Sequence, residues 1–137
     1  MYQQDYLLNE TRKFALLLAR LMGLKAEGSS EEYLQLFNHT LQAEYDAELE
    51  QLFGLNECDF EERLLKANYS AEKLNALSQL FYMFAEPFEG NTDTVLILKK
   101  VLVIFDVLEQ HHHTTSFENL EKRKTIYQFL TTPYART

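Results

Sequence analysis

The chain has no tryptophan, one cysteine, two prolines and four glycines in 137 residues. Each scarcity removes a class of structure. A lone cysteine, Cys58, leaves no intramolecular disulfide and no multi-cysteine metal site. So few Gly and Pro do not supply the many tight turns of a β-sandwich or barrel. The most apolar stretch, Val95 to Leu108, is interrupted by Lys99 and Lys100 and falls short of the ~20 residues of a membrane span. The opening Met1-Tyr2-Gln3-Gln4-Asp5 lacks the basic and apolar regions of a secretory signal. A soluble, cytoplasmic protein is the expectation, and the Asn9, Asn38 and Asn68 glycosylation patterns read as chance matches.

Basic residues are also in short supply. Lys and Arg number 13 against 21 Asp and Glu, for a net charge of −8. Residues 1–70 carry 6 basic and 13 acidic side chains, and residues 71–137 carry 7 and 8. Every charge from Glu44 to Glu62 is negative. Nucleic-acid binding draws its affinity from cations that neutralise phosphates, so this composition argues against it. The same sign argues against anionic membranes. The acidic run reads as a solvated helix face that favours solubility, with a docking surface for a basic partner as the sharper alternative.

What the chain does have is apolar and aromatic mass: 46% hydrophobic residues, with 10 Phe and 8 Tyr. That supports one packed domain over 1–137, of the all-α class. Five to six antiparallel helices with short connections are expected. The first spans 3–22, with Tyr6, Leu7, Phe14, Leu17, Leu18 and Leu21 on one side and Gly23 as the stop. The second starts at Ser29 or Ser30, where Ser29 and Glu32 have capping-box spacing. Its stripe of Leu34, Phe37, Leu41, Tyr45, Leu49 and Leu52 runs to Gly54.

A short third helix over 59–67 turns Phe60, Leu64 and Leu65 inward. Ser70 caps a fourth, which carries Leu74, Leu77, Leu80, Phe81 and Phe84 to Ala85. Pro87 then prevents continuation. The fifth, over 93–110, is rich in Val and Ile, yet its length exceeds an ordinary strand. Lys99, Asp106 and Gln110, with Val103 between them, form its narrow polar stripe, so it is the central core helix. A sixth follows Ser116 with Phe117, Leu120, Tyr127 and Leu130 inward, and the tail frays after Pro133.

The opening Gln3-Gln4-Asp5-Tyr6-Leu7-Leu8, an acidic middle and a C-terminal helical hairpin resemble a family of small, uncharacterised all-helical bacterial proteins. The resemblance covers nearly the whole chain, but only the first eight residues are distinctive. It implies a tetratricopeptide-like hairpin over 73–108, with Leu77, Leu80, Phe81 and Phe84 facing Leu98, Val101, Leu102 and Phe105. The hairpin lacks the repeat's Trp, carries Glu86-Pro87-Phe88 at the turn, and has no second copy about 34 residues away. The resemblance implies no activity and no site residues.

Three constellations bear on chemistry. His111-His112-His113 creates a Glu-x-x-His pair, Glu109 and His112, of the type that di-iron bundles use twice. It occurs once here, with Asp106, Glu118 or His39 as candidates to complete a set, so the pair is a weak metal candidate. The plainer reading is a helix end whose imidazoles complement the dipole. Cys58, beside Phe60, reads as a small buried side chain rather than a nucleophile. No Gly-x-Ser-x-Gly, phosphate loop or dinucleotide fingerprint is present.

Tyr82 and Phe88 cannot both share the buried stripe of Phe81 and Phe84, which makes them the protein-contact candidates. The resulting expectation is a non-enzymatic helical interaction module with no catalytic residues and no cofactor. Its partner is a protein or a second copy. A metal-binding sensor or enzyme at Glu109 and His112 is the alternative.

Overall fold

The computed structural model describes the backbone of residues 2–131 and the side chains of residues 12–131. Among the described residues there are seven helices and no strand: α1 Tyr2–Ala26, α2 Ser30–Tyr45, α3 Leu49–Gly54, α4 Glu57–Ala67, α5 Ala71–Ala85, α6 Thr92–His112 and α7 Phe117–Leu130. The all-α reading holds. No helix among the described residues is long and apolar enough to cross a membrane. Contacts group the chain into two compact units, Met1–Gly54 and Leu55–Thr137.

In the first unit α1 pairs with α2. Phe14 and Leu21 of α1 are buried, as are Tyr33, Phe37, Leu41 and Tyr45 of α2. The Phe14 and Tyr45 rings lie 6.4 Å apart, and Lys13 forms an ion pair with Glu44. Leu17 and Leu18 are half-buried, while Tyr6 and Leu7 lie outside the described side chains.

Gly23 does not stop α1. The helix runs on to Ala26 and ends at Gly28, whose φ of +78° suits a residue without a Cβ. There Ser29 N–H bonds Leu24 O at 3.0 Å and Gly28 N–H bonds Lys25 O at 3.2 Å, the paired closure of a Schellman motif.

The capping box at Ser29 does not form. Ser29 has ψ of 68° and its side chain makes no cap hydrogen bond, because its backbone is already committed to closing α1. The second helix also ends early, at Tyr45, where Asp46 turns left-handed at φ 50°. Asp tolerates that conformation better than most residues.

Ala47, Leu49 and Leu52 remain buried, so the apolar stripe continues on a new axis as α3. Its opening donors are satisfied locally, Glu48 N–H by Gln51 Oε1 at 3.1 Å and Leu49 N–H by Asn38 Oδ1 at 3.4 Å. Leu34 is displaced to the surface, 42% exposed, with Tyr33 buried in its place.

The second unit is built on α6, which packs against α4, α5 and α7. Asn56 caps α4 by accepting Asp59 N–H at 2.7 Å, Ser70 caps α5 by accepting Lys73 N–H at 3.1 Å, and Asn91 caps α6 by accepting Thr94 N–H at 2.8 Å. The α5 to α6 connection contains the cis Glu86–Pro87 peptide.

Ile97, Leu98, Val101, Val103, Ile104, Phe105, Val107 and Leu108 of α6 are buried, as a central helix requires. Val103 therefore lies in the core and not in the polar stripe. More unexpectedly, Lys100 is buried too, while Lys99 is exposed. Phe60 stacks on Phe81 at 6.0 Å, Leu64 is buried, and Leu65 turns outward.

The last helix departs most from its expected orientation. Only Asn119 and Ile126 of α7 are buried. Phe117, Leu120 and Tyr127, expected inward, are exposed, and Leu130 is half-buried. Asn119 takes the inward register because its amide donates to Asn75 Oδ1 at 2.9 Å, and helical spacing then turns positions 117, 120, 124 and 127 outward.

Candidate functional site

The two contact candidates meet each other. Tyr82, near the end of α5, and Phe88, after the cis proline, are both half-buried. Their rings pack edge to face at 5.2 Å and 77°. Phe88 in turn lies 5.3 Å from Phe129 of α7. Lys122 stands with Nζ 5.2 Å from the Tyr82 ring centre, a cation over an aromatic face.

Burial, joined by the nearby Glu86 carboxylate, raises the Tyr82 pKa against a hydrogen bond with Thr125. Burial likewise lowers the Lys122 pKa, although Glu118 and Glu86 favour its charge. These residues form a closed aromatic corner joining α5, the turn and α7.

Open apolar surface lies instead on the outer side of α7. Phe117 is 76% exposed, and Leu120 and Tyr127 are each 49% exposed. Leu120, Arg123, Lys124, Tyr127, Gln128 and Thr131 line a shallow groove of about 450 Å³. Lys124 stands on this face with no ion-pair partner among the described residues.

One wall of the groove is fixed from below. Arg123 Nη1 donates to Asp106 Oδ1 at 3.0 Å and Nη2 to Glu109 Oε1 at 3.1 Å. Its guanidinium carbon lies 5.6 Å from the Phe105 ring centre. Burial opposes the charge of Arg123, but hydrogen bonds with Asp106 and Tyr127 and the charges of Glu109 and Asp106 raise its pKa.

That clasp engages the acidic half of the metal candidate. Glu109 faces Arg123, while His112 is half-buried at the C-terminus of α6, between exposed His111 and His113. His113 adopts φ 52° and ends the helix, with Thr114 N–H bonded to Leu108 O at 2.9 Å. Glu118 is exposed and His39 belongs to the other unit. Among the described residues no group of three or more His, Cys, Asp or Glu is placed to hold a metal ion. Cys58 is exposed, not buried, since α4 turns Phe60 inward two positions later.

Lys122, Arg123, Lys124 and Phe129 carry no signal in the sequence that would single them out. Glu109 and Asp106 are three residues apart, and it is the register of α7 that brings Arg123 between them. No family model, curated protein or solved structure matches the chain.

Proposed function

We propose that this chain is a non-enzymatic helical interaction module that binds an apolar, carboxylate-bearing protein segment on the outer face of α7. The observation that carries the reading is the inversion of α7. Its aromatic and aliphatic side chains Phe117, Leu120 and Tyr127 point to solvent, while the buried positions include an asparagine. A helix that spends its apolar residues outward, around a groove, is organised for a partner.

The chemistry of the partner follows from Lys124. It sits among Leu120, Tyr127 and Gln128 in the groove, a cation on a chain of net charge −8. An apolar segment with one carboxylate at its centre satisfies both features. The Tyr82–Phe88–Phe129 corner serves as the anchor that holds α7 against α5, and the α5–α6 hairpin as the frame beneath it. The contact role assigned to Tyr82 and Phe88 is thus exercised through α7.

Site-specific photocrosslinking in the source cells tests this. A photoreactive phenylalanine at Leu120 or Tyr127 is expected to trap one discrete protein, and the adduct is expected to fade when Lys124→Glu is added. Equal trapping at an exposed position of the first unit such as Gln35, or insensitivity to Lys124→Glu, overturns it.

A further inference from the structure

Within the first unit, α1 carries a second apolar face that no other helix of that unit covers. Its inner face holds Phe14 and Leu21. On the opposite side Ala15, Leu16, Ala19, Met22, Gly23 and Ala26 are all exposed, Leu16 by 67% and Met22 by 60%. At 100° per residue these six positions fall within about 120° of the helix circumference. Spacings of three and four from Ala15 through Ala19 and Met22 to Ala26 are those of a helix–helix seam.

Gly23 is informative. It lies inside α1, where glycine is less favourable than alanine, and a Cβ there would meet nothing within 4 Å. Neither the fold of this chain nor a turn requires glycine at that position, and the missing side chain leaves room there for a close-packed helix.

The charges around the face indicate which helix. Arg12 and Glu27 flank its two ends, both exposed and without ion-pair partners among the described residues. They are about 22 Å apart along one helix, too far to meet.

We propose that α1 pairs antiparallel with α1 of a second copy of this chain, about a two-fold axis at Ala19. In that register Ala19 faces its own counterpart. Leu16 seats over the second copy's Gly23 and Met22 over its Ala15, large over small at each level. Arg12 comes level with the second copy's Ala26 and meets Glu27 beside it, at both ends of the seam. The face is self-complementary in shape and in charge, as a two-fold contact must be. Arg20 is exposed on the rim of the seam, about 20° around the helix from Glu27, and comes nearly level with its own counterpart at the axis, so the two Arg12–Glu27 pairs supply the attraction. The α7 groove takes no part, so this proposal and the binding reading above stand or fall separately.

The test uses the full chain with Cys58→Ser. Ala19→Cys is expected to form a disulfide-linked dimer on mild oxidation, since residues on the axis come within disulfide range. Ala26→Cys is expected not to, because antiparallel pairing holds its two copies about 21 Å apart. In light scattering Arg12→Glu is expected to weaken the dimer about fivefold, and Arg12→Glu with Glu27→Arg to restore it. Ala19→Glu is expected to give a monomer with unchanged helicity.

A wild-type chain that stays monomeric at about 100 µM, a concentration that fills sites of micromolar Kd, overturns the proposal. So does cross-linking of Ala26→Cys as efficient as that of Ala19→Cys, or failure of the charge swap to restore association.

Discussion

Asn119 of α7 donates its side-chain amide to the side-chain oxygen of Asn75 in α5 at 2.9 Å, across 44 positions of sequence. Asn119 is only 8% exposed. A buried amide without a partner carries its desolvation cost uncompensated, so this bond, together with the burial of Ile126, favours the side of α7 that faces inward.

Replacing Asn119 by Ala is expected to destabilise the second unit by about 1–2 kcal/mol, the range for orphaning a buried polar partner. Asn75→Ala is expected to cost a similar amount, and the double variant less than the sum, because each single change removes the same bond. Urea unfolding of the four proteins measures the coupling. Strict additivity would show that the pair does not set the register of α7.

Lys100 gives a prediction of opposite sign. It is 2% exposed in α6 and has no ion pair among the described residues. Burial lowers its pKa from 10.5, only partly opposed by the charge of Glu57. The folded state therefore binds the proton more weakly than the unfolded chain does, and folding at neutral pH carries the cost of a partly desolvated ammonium. Lys100→Met is expected to stabilise the protein by about 1 kcal/mol at pH 7.

That advantage is expected to be full below the lowered folded pKa and to shrink as pH rises through the window up to 10.5, where the amine is neutral in both states. Thermal melts across pH 7 to about 11 read the trend against the unfolded-state lysine pKa. A gap that widens with pH would contradict it. One position on, Val101→Asp is expected to abolish folding, because Val101 is 0% exposed and a carboxylate there is left unsolvated.

The helix caps separate three residues that look alike in sequence. Ser70→Ala and Asn56→Ala are each expected to cost about 1 kcal/mol, since each side chain accepts a first-turn N–H. Ser29→Ala is expected to cost far less, since that side chain makes no cap bond. Equal losses at all three positions, in chemical denaturation, would refute the assignment.

The contrast between Ser70 and Ser29 shows how far local pattern reaches. Ser70 follows a finished helix and is free to cap the next. Ser29 also closes the helix before it, a competition that a four-residue spacing does not encode. The core positions Phe37, Leu41, Tyr45, Phe60, Leu77, Phe81, Val101 and Phe105 were legible because periodicity reports a helix face directly.

Three features were not legible. Asp46 breaks an uninterrupted stripe by a backbone turn that most side chains would resist. Lys100 is buried on a helix that packs against α4, α5 and α7, an environment that no single-helix pattern contains. Phe117, Leu120 and Tyr127 read as core because apolar spacing marks a face without saying whether the face meets this chain or another. Glu109 and His112 both lie in the last turn of α6. The electrostatic surroundings of Glu109 depend on Arg123, fourteen residues further along.

The Arg123 clasp also bears on how tightly α7 is held. Two buried side chains and a set of polar links fasten it, against the broad apolar envelope around α6. Ion pairs at partly exposed carboxylates weaken as dissolved salt screens them. The amide hydrogens of α7 are therefore expected to exchange with solvent through small, salt-promoted openings, and those of α6 only when the whole second unit unfolds.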